Sequence, residues 1–243
     1  MLTRFYQEGC LKARNLPGKN AKEIVSINIS GGIAGGDVLA SKLALGCGAR
    51  AVFTSQAAER VYRTLGDASQ VTTKLSLGVG AALTYLPQET ILFDGFSLDR
   101  TLEVDVMDKA ICIGWESIVF GRTAMGETVR NGVLWDRISL RRNGNLIWRD
   151  VIAIDGDIDA CLGLPGVGRQ IKAMANLFAV GVDVNHVLPR LKDALEGHIA
   201  GISVHGDIIL LRVLAPEAKI IRQAIYSVLD NLKTGGVPRV WQS

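Results

Sequence analysis

Residues 98–106 read LDRTLEVDV and set the structural class of this chain. Apolar and polar residues alternate along the segment, as they do in a β-strand that buries one face. The apolar positions are Leu98, Leu102, Val104 and Val106, and the polar positions, counted from Ser97, are Asp99, Thr101, Glu103 and Asp105. The same alternation recurs over residues 71–79 and 134–141. It therefore predicts several half-buried strands.

Turn signals separate these alternating segments. They are Gly46-Cys47-Gly48, Leu65-Gly66-Asp67, Asp94-Gly95, Asn131-Gly132 and Asn143-Gly144-Asn145. Many short strands divided in this way are typical of a sandwich, a barrel or a β-solenoid. They argue against a parallel α/β sheet with regular crossover helices. The sequence thus predicts a mainly β fold, and a β-helical or stacked-sheet arrangement is one of its forms.

The last quarter of the chain predicts about two α-helices. Leucines at helical spacing over 187–196 predict a short helix that ends at Gly197, even with Pro189 in its first turn. Residues 207–214 form an almost continuous apolar run that predicts a strand, and we also expect a strand at 177–182. A second helix is expected from Pro216 until two glycines, Gly235 and Gly236.

Length and composition predict a soluble protein with room for one large domain or two small ones. The chain has 243 residues, of which 48% are hydrophobic, so it is long enough to bury a core. We expect a single domain over 1–243, β-rich over 1–182 and mixed α/β over 183–243. No linker separates the two parts.

Charge and cysteine content narrow the partners and the compartment. A net charge of +3 is too small to hold a nucleic-acid backbone or an anionic membrane. No apolar run is long enough for a membrane span, and the start lacks the apolar segment of a signal peptide. The four cysteines are isolated, which suits a reducing compartment. We therefore expect a cytoplasmic protein that binds neither nucleic acid nor membrane.

The most unusual segment is residues 30–37, which read SGGIAGGD. It does not fit a phosphate-binding loop, because no Lys-Ser/Thr pair follows and the next residues, 38–45, are strand-like. We expect a structural loop in which glycines adopt backbone angles that other residues avoid, with Asp37 presented by a tight turn. These glycines are Gly31, Gly32, Gly35 and Gly36.

No catalytic motif stands out. The chain lacks G-x-S-x-G and H-E-x-x-H, and its three histidines all fall in the last quarter. Residues 155–159 resemble the start of a calcium loop, but Ala160 replaces the required glycine and Gly166 the bidentate glutamate, so we expect a solvated turn. Two general alternatives remain open. One is a β-rich protein-binding module, and the other is an enzyme that uses Arg122 and Glu127 as electrophile and base.

Taken together, five sequence blocks resemble the urease accessory proteins of the UreD type, also called UreH. The blocks are residues 30–37 (S-G-G-x-x-G-G-D), 54–63 (T-x-Q-A-A-x-R-x-Y-R), 86–93 (L-P-Q-E-T-I-L-F), 116–127 (E-x4-G-R-x-A-x-G-E) and 238–241 (P-R-V-W). They occur in the family's order and span most of the chain. The start departs from the family, which usually carries a further strand or two there.

The resemblance implies a non-catalytic maturation factor, or metallochaperone, with a β-helical or stacked-sheet fold. Family members bind the helical accessory protein UreF, recruit the GTPase UreG through it, and dock on apo-urease. The assembly inserts nickel into the urease active site, and the metal is thought to pass through a water-filled channel. We therefore expect transient nickel and no tightly bound cofactor.

A conduit must hold nickel weakly, so carboxylates suit it better than imidazole or thiolate clusters. Acidic residues that match family blocks or lie beside apolar ones are the candidates for the metal route. They are Asp37, Glu116, Glu127 and Asp150. The alternative for each is an ordinary surface carboxylate or an ion pair with Arg122 or Arg149.

Arginine and aromatic residues are the candidates for partner binding, because such side chains often anchor interfaces. They are Arg60, Tyr62, Arg63, Arg122 and Trp241. The arginines near residue 60 are equally suited to buried pairs with Asp67 or Glu59. For Trp241 the sequence favours a core position that closes over the final helix, because the apolar stripe around Ile220 needs something to pack on.

Overall fold

The computed structural model describes residues 3–17, 21–121, 128–164, 167–168, 171–232 and 237–241. Within these ranges the chain forms fifteen strands and three α-helices. Arg122, Glu127 and the two glycines at 235 and 236 lie outside the described residues.

Most of the chain winds between two sheets, with successive strands alternating between them. In the first sheet, β2 (Lys22–Asn28), β4 (Arg50–Ser55), β7 (Ala82–Leu86) and β10 (Ile111–Phe120) pair in parallel. In the second, β3 (Val38–Leu45), β6 (Ser69–Leu77), β9 (Phe96–Val106) and β11 (Asn131–Arg142) also pair in parallel. Two short strands, β5 (Glu59–Val61) and β8 (Thr90–Leu92), extend the first sheet. Strand β8 pairs in parallel with β10, and β5 pairs in parallel with β8. This is a β-solenoid.

Antiparallel strands lie at both ends of the first sheet and at one end of the second. The strand β1 (Leu11–Leu16) pairs with β2, and β12 (Asn145–Asp157) forms a hairpin with β11. Beyond β10, the first sheet continues through β13 (Ala173–Val180), β15 (Ile208–Ala215) and β14 (Ile199–His205). The solenoid thus ends in an antiparallel extension.

Alternating buried and less buried residues along the strands form the core between the two sheets. Every second residue of β9, from Phe96 to Val106, is buried. Because parallel pairing keeps these positions in register, buried residues stack from coil to coil. They form two interior clusters, one around Leu75, Leu102 and Ile138 and the other around Leu92, Leu98 and Leu134.

Two helices cover the outer face of the first sheet, α2 (Val184–Ala194) and α3 (Ala218–Leu232). The apolar stripe of α3, with Ile221 and Val228 among its members, packs on β13 and β15. Trp241, in a 3-10 turn at Arg239–Trp241, lies in the same cluster. None of the helices in the described part of the chain combines the length and apolar character of a membrane span.

The mainly β fold, its stacked arrangement and the two helices near the C-terminus are confirmed. The solvated turn expected at residues 155–159 is wrong. Strand β12 continues to Asp157, whose carboxylate accepts a hydrogen bond from the Ala160 amide and so caps a further helix, α1 (Ile158–Gly163). An aspartate at an N-cap satisfies a free helical N–H, which explains the difference. The single-domain boundary stays a prediction.

Candidate functional site

Polar side chains run through the solenoid interior between the two interior clusters. On each of four strands, a buried polar residue stands between a member of one cluster and a member of the other. The triplets are Leu98-Arg100-Leu102, Leu134-Asp136-Ile138, Ile118-Glu116-Cys112 and Met174-Asn176-Phe178. With their polar neighbours they form what we term the interior polar layer. Its members are Asn28, Glu59, Tyr85, Thr90, Arg100, Glu116, Asp136, Asp150, Asn176 and Arg212.

The centre of the layer is a buried ionic cluster. Arg100 donates to both carboxylate oxygens of Asp136, Nε to Oδ1 at 2.8 Å and Nη2 to Oδ2 at 2.7 Å. Its Nη1 donates to Thr90 Oγ1 at 3.0 Å. The same Nη2 lies 3.8 Å from Glu116 Oε2, beyond hydrogen-bonding distance. Tyr85 donates its hydroxyl to the other oxygen, Glu116 Oε1, at 3.3 Å.

Topology explains why these groups meet. Arg100 and Asp136 are register partners on the parallel pair β9 and β11, so their side chains leave the second sheet side by side. Glu116 and Tyr85 project from β10 and β7 of the facing sheet. The charges therefore come from opposite walls of the solenoid.

The positive charge in the cluster does not fully compensate the negative charge of Glu116. One guanidinium faces two carboxylates, and Asp136 takes it in a bidentate pair, the stronger arrangement. Glu116 is only 4% exposed, and its Oε2 has no hydrogen-bond partner among the described residues. Burial raises the pKa of Glu116 to about 7, with the Asp136 charge adding to the rise and Arg100 opposing it. Burial and the neighbouring Glu116 charge likewise raise the pKa of Tyr85, which stays a neutral donor.

Toward the antiparallel extension, the layer continues to the surface. Asn176 is the register partner of Glu116 on β13, and directly opposed residues face the same side. Arg212 donates from Nε to Asn176 Oδ1 at 2.7 Å and from Nη2 to Asp150 Oδ2 at 2.5 Å. The Arg212 side chain is 44% exposed and that of Asp150 is 24% exposed. This end of the layer meets solvent.

Toward the first coil, the layer also reaches half-buried positions. Thr90 is the register partner of Glu59 on the parallel pair β8 and β5. Asn28 donates from Nδ2 to Glu59 Oε1 at 3.0 Å. Burial raises the pKa of Glu59, and the hydrogen bonds that its carboxylate accepts from the Asn28 side chain and the Arg60 backbone oppose the rise. The polar side chains therefore extend in both directions from the buried centre.

The potential metal ligands at the centre are few, and they are oxygen atoms. Two carboxylates, one phenol and one hydroxyl surround the guanidinium. Cys112 lies on the same face of β10, but burial raises its pKa to about 12, so it is a neutral thiol and a poor ligand. The described residues contain no group of three His, Cys, Asp or Glu side chains that would hold a metal ion.

Of the four candidates for the metal route, two belong to the interior polar layer. Glu116 is buried beside Arg100, and Asp150 pairs with Arg212 rather than with Arg149. Asp37 lies in the glycine loop, where its Oδ2 accepts a hydrogen bond from the Ala34 amide at 2.8 Å. Glu127 lies outside the described residues. The metal roles themselves stay predictions.

Close packing and backbone geometry explain the glycine loop. Gly31 and Gly36 have φ values of 79° and 80°, which favour glycine. A Cβ on Gly32 would stand 2.3 Å from the Tyr62 ring, and one on Gly35 would stand 2.0 Å from the Thr64 hydroxyl. The loop thus needs glycine at all four positions: Gly31 and Gly36 for φ, Gly35 for space, and Gly32, whose φ is 157°, for both.

The candidate partner-binding residues are divided between surface and core. Arg60 and Arg63 are exposed, so the alternative of buried arginines does not hold. Tyr62 is 37% exposed, and its hydroxyl donates to the Gly31 carbonyl at 2.9 Å. Trp241 is buried, with Nε1 donating to Thr54 Oγ1 at 2.8 Å, and it closes over the final helix. The role of Arg122, outside the described ranges, stays a prediction, as do the partner-binding roles of the others.

Neither Arg100 nor Asp136 is among the site residues predicted from the sequence. Both stand at positions where the alternation demands an apolar residue, Arg100 between Leu98 and Leu102 and Asp136 between Leu134 and Ile138. Two charges of opposite sign at inward positions of two alternating strands are the signal that would have found them. Charged residues are rarely buried without a partner, so the two predict each other.

Comparison with known proteins places the chain in a family. The family model described as "UreD urease accessory protein" matches residues 1–242. A urease accessory protein UreD from Ruegeria pomeroyi is 39% identical over 99% of this chain and 94% of its own length. Those from Chelativorans sp. and Sinorhizobium medicae are 39% and 40% identical, over 99% and 98% of this chain and 87% and 88% of theirs. The chain belongs to the UreD family of urease accessory proteins.

Proposed function

We propose that this chain is a non-catalytic urease maturation factor that passes nickel to apo-urease through its interior polar layer. One observation carries the proposal. In the part of the chain that the structure describes, Glu116 presents a buried oxygen without a hydrogen-bond partner at the centre of a polar layer that extends toward the surface on both sides. A buried unpaired acceptor is costly, so its presence calls for a functional reason.

The chemistry of the layer supports conduction over storage. Nickel binds imidazole and thiolate tightly, and a cluster of those ligands would retain it. A single available carboxylate oxygen, flanked by a phenol and an amide, offers a cation one favourable contact and little else. Conduction needs binding that is favourable enough to load and weak enough to release. When nickel arrives, Glu116 is the group that compensates its charge.

The partners follow from family membership and remain proposals for this chain. UreF binds it directly, UreG joins through UreF, and the assembly docks on apo-urease in the cytoplasm. The exposed Arg60, Tyr62 and Arg63 lie beside the glycine loop and offer one contact surface. Nickel is cargo in this scheme, and no resident cofactor takes part.

Urease activation in a strain that lacks its own UreD-type factor tests the proposal. We compare wild type, Glu116→Gln and Asp150→Asn, and use Glu103→Gln as a matched control because Glu103 lies on the outer face of β9 in a surface pair with Lys74. The readouts are copurification with UreF and urease, urease activity, and nickel content per active site.

We expect Glu116→Gln to keep the complex intact while nickel content falls at least about tenfold, since glutamine keeps the shape of the side chain and removes its charge. Asp150→Asn should have a smaller effect because Asp150 lies nearer the surface. Glu103→Gln should match wild type. Full nickel loading with Glu116→Gln would leave the alternative, a β-rich protein-binding module without a metal role.

A further inference from the structure

A guanidinium in the middle of a cation route poses an electrostatic problem. Arg100 is 7% exposed and lies within the same buried cluster as Glu116. A fixed positive charge repels an arriving cation, and in channels an arginine serves to exclude cations. It would also compete for the carboxylate that the cation needs. The charge must therefore be neutralised and kept away from Glu116.

The geometry provides this neutralisation. Arg100 Nη2 lies closer to Asp136 than to Glu116. It is 2.7 Å from Asp136 Oδ2 and 3.8 Å from Glu116 Oε2. Asp136 also takes Nε, and Thr90, on strand β8 beside β10, takes Nη1, so each of the three guanidinium nitrogens donates a hydrogen bond to a group other than Glu116. An atom that had lost its Asp136 bond would need to move only about one ångström to bond Glu116.

We propose that Asp136 is a positioning residue that holds the Arg100 fork off Glu116 and so leaves Glu116 Oε2 available to a divalent cation. This inference rests on the proposed function. Asp136 does not bind the cation in this account, because both of its oxygens are engaged by Arg100. Its effect on nickel passes through Arg100.

Two substitutions that break the same ion pair separate positioning from a purely structural role. In Asp136→Asn, the guanidinium is released onto Glu116, and nickel binding weakens. In Arg100→Gln, Glu116 stays free and Asp136 is released as a second carboxylate, so nickel binding tightens. A structural role alone predicts the same direction for both, because each leaves one buried charge uncompensated.

The measurement is equilibrium dialysis of the full chain against Ni²⁺ alone at pH 8, with melting temperature recorded for each variant. We expect the association constant to fall at least about tenfold in Asp136→Asn and to rise at least about tenfold in Arg100→Gln. Shifts in the same direction would overturn the inference. If Asp136→Asn does not fold, Arg100→Gln decides alone, since an unchanged or weaker affinity contradicts the account.

Glu116→Gln, measured in parallel, separates the two proposals. If it binds Ni²⁺ as wild type does, the proposed function fails, and the inference fails with it. If it loses affinity while the Arg100 and Asp136 variants move together, only the inference fails. Glu103→Gln again serves as the control for loss of a carboxylate on β9.

Discussion

The glycine loop at residues 30–37 and the interior polar layer each present acidic side chains, but they satisfy them differently. In the loop, Asp37 accepts a hydrogen bond from the Ala34 amide three residues away, and close packing accounts for the neighbouring glycines. In the layer, Glu116 receives one long hydrogen bond from Tyr85, and its second oxygen has no hydrogen-bond partner within the described ranges. The first is explained by folding, whereas the second is not.

This contrast teaches that a conspicuous motif and a functional site need not coincide. The loop is the most unusual stretch of sequence, yet its geometry accounts for every glycine in it. The layer is inconspicuous in sequence because its ten members come from ten different strands that only the fold brings together. An unsatisfied buried group is therefore the better guide to function here.

The largest expected effect concerns the ion pair at the centre of the layer. Arg100→Met leaves Asp136 buried without a partner and should cost about 3–5 kcal/mol of unfolding free energy. Lys74→Met removes a surface pair with Glu103 and should cost less than about 1 kcal/mol. Urea denaturation of both variants measures the difference. Equal losses of unfolding free energy would show that the buried pair contributes no more to stability than the surface pair does.

The next effect is a pH dependence specific to Glu116. Its pKa is about 7 in the folded chain against an ordinary value of 4.5, so between these values the folded state keeps a proton that the unfolded state has lost. Its contribution to stability is therefore complete below pH 4.5 and lost as the pH rises through 7. Glu116→Gln removes this slope. The stability of the variant relative to wild type should rise by about 3 kcal/mol across the window.

Urea denaturation at several pH values from 4.5 to 8 follows that difference, and Glu103→Gln controls for general loss of charge. A difference between variant and wild type that stays constant with pH, or that falls, contradicts the assignment of the unsatisfied carboxyl to Glu116.

In the glycine loop, the expected effects are on packing. Gly35→Ala places a Cβ 2.0 Å from the Thr64 hydroxyl, which is itself tied to Gly66 and Asp67, and should cost about 1–3 kcal/mol. Gly46→Ala meets nothing within 4 Å and serves as the control. Thermal unfolding of both variants tests this. Similar melting temperatures would show that the loop tolerates side chains and that its glycines need another explanation.

The smallest effect is expected at Asp37. Asp37→Asn weakens one hydrogen bond of a half-buried carboxylate and should cost about 1 kcal/mol or less. In the activation assay, nickel content should change much less than in Glu116→Gln. A loss as large as that of Glu116→Gln would move the metal route to the loop and reverse the comparison.

The alternation of residues 98–106 was sufficient to predict strands, because burying one face of a strand imposes a period of two. The helical stripe around Ile221 and Val228 likewise predicted α3. Pairing between distant strands has no such local signal. Glu116 was identified by its family block and its acidity, but its partner Arg100 is 16 residues away in sequence and on the opposite wall. Its short distance to Arg100 depends on coil stacking that no local pattern reports.

The most direct test of the central claim is the position of nickel in crystals of the full chain soaked with Ni²⁺, located by anomalous diffraction. We expect a partly occupied peak at coordination distance from Glu116 Oε2, and its loss in Glu116→Gln. Peaks confined to surface histidines such as His186, with none inside the solenoid at any nickel concentration, would contradict it.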